Sequence, residues 1–352
     1  MTTLAHAQPQ PVPAAERSAG VWVTAWRRLK NDHVGMVSLA IVATFLVMIL
    51  AAALGIVAGN WQKEVGVPDA PPTFVGPRAA TTGTDPLASV IAKDAKPVDL
   101  SDIDPLAPKY QEWAERAAKI QITETPKAET LPIGGDRLGR DVLSKVIKGA
   151  EVSIFVGVFA AVLATLIGTV LGALSGYAGG KIGDFLEWVY NVFTSIPGIL
   201  LIFAFAAVLG RGISTVILIL GLAGWTGIYR LVRAEYIKHR NREYVRAAEA
   251  IGASHLSRMF VHILPNISHV VLVQLSLHVV FFIKAEVILS FLGLGVRVDQ
   301  VSWGTMLSEA QAELVLGHWW QLVATTVCMA VFVTAFSLLT DALRDALDPK
   351  LR

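Results

Sequence analysis

Charge is what this chain has least of. Only 16% of its 352 residues are Asp, Glu, Lys or Arg, against 54% hydrophobic residues. A soluble domain of that length needs more charge to cover its surface, so the composition points to a membrane protein. The single cysteine, Cys328, excludes an intramolecular disulfide and lies in an apolar run, where it reads as a small hydrophobe. There is no zinc-type His/Cys spacing, no nucleophile–base pair on a soluble scaffold and no Gly-x-x-x-x-Gly-Lys-Ser/Thr stretch. Without that phosphate-cradling loop the chain is expected to bind no ATP and to be no self-sufficient enzyme. The N-terminus lacks a basic start followed closely by an apolar core, so no cleavable signal peptide is expected. A net charge of +2 gives no case for nucleic-acid binding.

Long apolar runs are what the chain has instead. Charge-free runs cover Val34–Ala58, Val152–Tyr177, Trp188–Leu209, Gly212–Tyr229 and Trp319–Thr340, and a nearly apolar one covers Ile267–Val296. They are continuous rather than alternating, so they predict six transmembrane helices and an all-α fold. Lys and Arg cluster before the first span (Arg27, Arg28, Lys30), between the fourth and fifth (from Arg230 to Arg258) and after the sixth (Arg344, Lys350, Arg352). These clusters share one side of a six-span protein, which predicts both termini in the cytoplasm.

The expected organisation is a cytoplasmic segment 1–33, a first span 34–59, an external insert 60–150, a five-helix core 151–345 and a tail 346–352. The insert is rich in Pro, Asp, Lys and Ala, and only Ala107–Ile122, with Tyr110, Trp113, Ala117 and Ile120, predicts a short amphipathic helix. It reads either as an irregular cap or as a landing surface for an external partner.

The loop 231–265 is helix-forming and basic. Residues Ala234–Ile251 favour helix, Gly252 can end it in the left-handed conformation, Ser254 can cap a second short helix to Ile263, and Pro265 suits the first turn of the fifth span. Ala247 and Ala248 would let a partner approach the backbone closely. Two short helices at an angle make a rigid knob. The alternative is a basic hairpin lying on anionic headgroups.

Here the pattern Ala247-Ala248, three residues, Gly252, then Leu264-Pro265 resembles the cytoplasmic coupling motif of ATP-binding-cassette (ABC) importer permeases. Further stretches resemble the C-type permease subunit of dipeptide, oligopeptide and nickel importers. They are Gly139-Arg140-Asp141-Val142, Ser290-Phe-Leu-Gly-Leu-Gly295 after Glu286, Ser302-Trp303-Gly304 and Leu343-Arg-Asp-Ala-Leu-Asp-Pro349. Arg246 stands where the motif usually has Glu, and His262 where it often has an aliphatic residue; Glu243 or Glu249 could supply the missing carboxylate. The resemblance implies a type I importer bundle in the bacterial inner membrane. It also implies a second permease subunit, two ATPase subunits that bind ATP and Mg, an external substrate-binding protein, membrane lipid around the spans and short peptides as cargo. Nickel, glutathione and sugar-like solutes are alternative cargoes.

Within the fifth span, His278, Lys284 and Glu286 are ionisable at membrane depth, where such groups usually face a bundle interior or water. On a helix His278 and Glu286 lie about 80° apart and Lys284 points nearly opposite to Glu286. They read as pathway or proton-relay groups, the latter in a secondary transporter, or as residues that snorkel or bond a neighbouring helix. Gly168, Gly172 and Gly176 have the four-residue spacing of a close helix contact, Pro197 before Gly198 predicts a kink that could flex during transport, and Trp188, Trp303, Trp319 and Trp320 read as interfacial anchors.

Overall fold

The computed structural model of the protein describes residues 21–77, 104–119 and 126–347. Among these residues the regular elements are helices, and extended pairing is confined to isolated bridges such as Glu64 with Arg140 and Gly66 with Ala128. An amphipathic helix α1 (Val21–Asn31) leads into α2 (His33–Ala53), which Asp32 caps by accepting from the Val34 N–H. The first span therefore ends at Ala53, before the expected Ala58, because Gly55 and Ala58 take positive φ values of 73° and 56° and turn the chain. In the segment between the first and second long helices α3 (Tyr110–Lys119) follows a 3-10 turn at Ala107–Lys109, where the amphipathic helix was expected. Residues 120–122 of that expectation lie outside the described residues.

The core is built on α4 (Val142–Ala178). Its 37 residues make a rod of about 55 Å, well beyond the roughly 30 Å hydrocarbon core. Asp141 caps it by accepting from the Ser144 N–H at 3.0 Å, and Gly179 ends it at φ 61°. There follow α5 (Gly180–Thr194), α6 (Gly198–Leu209), α7 (Ile213–Gly224), α8 (Thr226–His239), α9 (Glu243–Ala250), α10 (His255–Phe291), α11 (Trp303–Val315) and α12 (Trp320–Leu347). Among the described residues, α2, α4, α10 and α12 are each long and apolar enough to cross a membrane, and the bent pairs α5–α6 and α7–α8 raise the number of candidate spans to as many as six.

The third expected span is not one kinked helix. Its halves meet at 84°. Pro197 has no N–H and its ring would clash with a carbonyl one turn back, so the helix stops. The hydroxyls of Thr194 and Ser195 accept the task of capping, donating to the Tyr190 and Val192 carbonyls at 3.0 and 2.8 Å. The α7–α8 pair bends by 43° at Trp225.

The glycines of α4 explain how α8 packs. A Cβ on Gly168 would lie 2.2 Å from Ile228 Cγ2 and 2.5 Å from the Trp225 carbonyl oxygen. On Gly172 it would lie 2.7 Å from the Tyr229 carbonyl oxygen, and on Gly176 2.5 Å from that of Arg233. In lipid, where apolar surface gains nothing by leaving its solvent, such backbone-to-backbone approach is the main source of helix attraction. Above the seam, Val156, Ala160 and Ala164 of α4 pack with Val216 and Leu220 of α7 and with Phe282 and Ile283 of α10. Two of the expected interfacial tryptophans belong to the core instead. Trp303 and Trp320 are buried, and their indole N–H groups donate to the Val146 and Gly135 carbonyls at 3.2 and 2.7 Å. Trp188 and Trp319 are exposed.

Replacing Gly172 with Leu should push α8 off α4. The expected loss is roughly 1–3 kcal/mol, seen as a lower thermal unfolding midpoint in detergent; an unchanged midpoint would show that the seam does not hold the two helices.

Candidate functional site

The first candidate site is the knob between α8 and α10. The helical stretch expected over Ala234–Ile251 is two helices, because Arg242 takes an extended conformation (φ −73°, ψ 152°) and turns the chain between α8 and α9. α9 ends as its sequence suggests. Gly252 sits at φ 85°, its N–H donates to the Glu249 carbonyl at 2.9 Å, and the Ala253 N–H donates to the Ala248 carbonyl at 3.0 Å. That pair of bonds is a Schellman closure, which favours glycine at this position. Ser254 then caps α10, accepting from the Ser257 N–H at 3.2 Å.

Pro265 does not open a separate span. α10 runs unbroken from His255, and the missing proline N–H is absorbed by a π-helical stretch, Arg258–Ile263, where the Leu264 N–H reaches the Met259 carbonyl five residues back. Such widened turns recur at functional positions.

Three contacts make the knob rigid. Val245 packs with Met259, Ile263 and Ile267 and with Ile228, Val232 and Tyr236 of α8. The Tyr236 hydroxyl donates to the Met259 carbonyl at 3.0 Å. The Arg258 guanidinium, largely buried, lies 2.6 Å from Glu249 and 6.0 Å above the Tyr177 ring. Glu249 is thus the carboxylate that pairs across the knob, while Glu243 and Arg246 are exposed on α9. The two alanines part company. Ala247 faces outward, but Ala248 is buried and cannot meet a partner. The apolar side chains that do face outward are Ile251, 84% exposed, Leu256, 66%, and Val261, 64%. Sequence patterning missed these three and Arg258, since nothing in a short polar loop distinguishes an inward from an outward Leu.

At the far end of α4 the Gly139-Arg140-Asp141 stretch builds a clamp. Gly139 takes φ 76°, and a Cβ there would strike the Gly66 carbonyl oxygen at 2.1 Å. Arg140 Nε and Lys145 Nζ donate to the same Asp136 oxygen at 2.6 and 2.7 Å, and Lys145 also reaches Glu309 of α11 at 2.6 Å and Gln321 of α12 at 3.3 Å. Lys145 is only 1% exposed. Burial alone would raise the Asp136 pKa, but the Lys145 and Arg140 charges outweigh it and hold the carboxylate below its ordinary 3.8. Nearby, Glu313 is 3% exposed, accepts from the Arg137 N–H at 3.3 Å through one oxygen, and has no hydrogen-bond partner for the other among the described residues. Burial, reinforced by Asp136 and Glu309, pushes its pKa up to about 7 against the pull of Arg137 and Lys145. His318 stacks on Trp320 and approaches Asp69 at 3.0 Å.

The other motif pieces meet beside this clamp. Ser290 donates to Glu286 at 2.6 Å and accepts from the Val296 N–H at 3.3 Å, folding the Gly293–Gly295 turn back onto α10. Ser302 caps α11, the Trp303 N–H donates to Ser153 of α4 at 3.1 Å, and Gly304 lets α11 approach within 2.4 Å of where a Cβ would meet the Val287 carbonyl oxygen.

The expected pathway residues separate. Glu286 is fully buried inside the chain, so it does not line an open path in this conformation; it joins α10 to the turn that follows it. His278 is half-buried, 3.1 Å from Thr165 of α4. Pro197 is exposed at the α5–α6 elbow, and Lys284 is exposed on the face of α10 opposite Glu286. These side chains do not form one relay.

Residues 168–352 match the model of the family described as binding-protein-dependent transport system inner membrane component. The chain is similar to the dipeptide transport system permease protein DppC of Bacillus subtilis, 39% identical over 62% of this chain and 68% of that protein. It is also similar to the oligopeptide transport system permease protein OppC of the same organism, 36% identical over 70% of this chain and 80% of that one. With the glutathione transport system permease protein GsiD of Salmonella typhimurium the identity is 40%, over 62% and 72%.

The raised Glu313 pKa makes this clamp sensitive to pH. An acid whose folded value exceeds its unfolded one stabilises fully below the ordinary 4.5 and loses that contribution as pH rises through about 7. Asp136 acts in the opposite sense, and its contribution is lost as pH falls below its ordinary 3.8. Glu313→Gln should therefore flatten the decline in thermal midpoint between pH 4.5 and 7. A decline unaltered by this substitution would assign it to another group.

Proposed function

Because this chain belongs to the family of binding-protein-dependent transport system inner membrane components, we propose that it is the C-type permease subunit of an ATP-driven importer of short peptides. It lies in the bacterial inner membrane as a multi-pass protein. In this reading it has six spans with both termini in the cytoplasm, and it pairs with a second permease subunit to enclose the path. Two ATPase subunits hold ATP and Mg, and an external binding protein delivers the peptide. The cargo is inferred from relatives named for dipeptide, oligopeptide and glutathione transport.

The observation that carries the reading is the knob. α10 begins at His255, well before its apolar run opens at Ile267, which adds about 18 Å of helix on the knob side, so the knob at its foot stands clear of the bilayer. That favours docking over a hairpin resting on headgroups. Its exposed surface, with Ile251, Leu256 and Val261 among Glu243, Arg246 and Ala247, offers apolar area ringed by charge, as protein interfaces do. Closure of the ATPases on ATP would move this knob, and with it α8 and the foot of α10. The two states differ in the contacts made there, which is the condition for binding energy to drive the change. The α5–α6 elbow at Pro197 would absorb the motion.

The test is co-purification with the products of neighbouring genes, followed by uptake in proteoliposomes. ATPase subunits should accompany the chain, and Ile251→Asp with Leu256→Asp should abolish their association while the protein still inserts in membranes. Uptake by this chain without any ATPase would favour a secondary transporter instead. Pro197→Ala should slow ATP-driven uptake; an unchanged rate would remove the elbow from the mechanism.

A further inference from the structure

An ammonium within a membrane-length helix has no counterpart among the described residues. Lys284 lies on a stripe of α10 formed with Leu277, Phe281 and Ile288, which are 42%, 54% and 44% exposed. The stripe faces away from α4, and apart from Lys284 it is apolar. Among the described residues nothing pairs with the ammonium; the nearest carboxylate in sequence, Glu286, is buried on the other side of the helix and bonded to Ser290. Lys284 also sits seven residues, roughly 10 Å, before the end of α10 at Phe291. Side chains on a helix lean toward its N-terminus, so the lysine stem sets off away from the nearer, external surface. Snorkelling outward therefore runs against its own direction. A bare ammonium facing lipid at that depth is costly, and the usual resolution is water or an anion.

Resting on the importer reading above, we propose that Lys284 lines the translocation path and pairs with the carboxylate of the passing solute, acting as a charge-selecting residue. Its complement is in the cargo. Dipeptides, oligopeptides and glutathione, for which the relatives are named, all carry a free carboxylate. A helix face that is apolar except for one cation suits such molecules. It lets a peptide slide past without binding tightly at many points, while one long-range attraction draws its charged end through.

The experiment uses the whole importer with its binding protein in proteoliposomes, and trialanine as the probe. Lys284→Gln should lower trialanine uptake roughly tenfold, the effect of losing one charge-assisted contact, whereas Lys284→Arg should keep most of it. In a Cys328→Ser background, Lys284→Cys should react with a membrane-impermeant cationic thiol reagent, and trialanine during turnover should slow the reaction. Reaction only with a lipid-soluble maleimide would place the residue against lipid, and reaction with neither reagent would place it against the second permease; both overturn the proposal, as does full uptake by Lys284→Gln. Failure of the unaltered importer to take up any peptide would instead count against the importer reading, since the labelling arm reads position without transport.

Discussion

The close approach of α4 and α8 along Gly168, Gly172 and Gly176 is the contact on which the rest of this structure depends. Nothing in a bilayer rewards two leucine faces for meeting, so helices that must move together need backbone proximity or polar bonds. Here both operate. Along the seam the backbones touch, and at its knob end Ser175 accepts from Tyr229 at 2.9 Å and from Arg233 at 3.0 Å, with Glu187 of α5 bridging to Arg233 at 3.1 Å. α8 runs on into the knob, so any displacement of the knob is handed directly to α4, which like α10 reaches from the knob to the clamp.

The two ends of α4 are fastened by different physics. Near the knob the fastening is close backbone contact helped by the part-exposed bonds around Ser175 and Arg233. At the clamp end it is ionic, with Lys145 shared between Asp136 and Glu309 and nearly without solvent. A buried cation of this kind is held because its anions are fixed in place, and deleting one would leave an uncompensated charge. The same junction holds Glu313, one of whose carboxylate oxygens has no hydrogen-bond partner among the described residues. Buried polar atoms without partners raise the free energy of the arrangement that contains them. A change of packing around α11 therefore has a polar bond to gain at Glu313.

Much of this was readable from the chain, and the misses have physical reasons. Charge-free runs located the long apolar helices α2, α4, α10 and α12, and Gly252 announced the end of α9 because few residues tolerate that φ. The Gly168–Gly176 spacing predicted a close contact but not its partner. Lys145 and Glu309 are 164 residues apart, and no local signal joins them. The π turn before Pro265 was hidden because a helix can either stop at proline or widen to pass it, and tertiary packing of Met259 and Ile263 decides which. Ala247 and Ala248 look equivalent in sequence, and only the helix phase set by Val245 sends one in and the other out.

Stiffness at the knob and compliance at the elbow are complementary requirements. A knob that bent under load would absorb the work of its partners, and the Schellman closure at Gly252, the Arg258–Glu249 pair and the Tyr236–Met259 bond all oppose bending. A bundle that was equally stiff everywhere could not change which side it opens. The break between α5 and α6 supplies the give, because its backbone bonds are already interrupted at Pro197 and local hydroxyls, rather than a neighbouring helix, cover the carbonyls there. Rotation about that break costs no helical hydrogen bond, whereas bending α4 would cost several. Motion imposed on the α4–α8 unit should therefore be taken up between α5 and α6 before the seam itself yields.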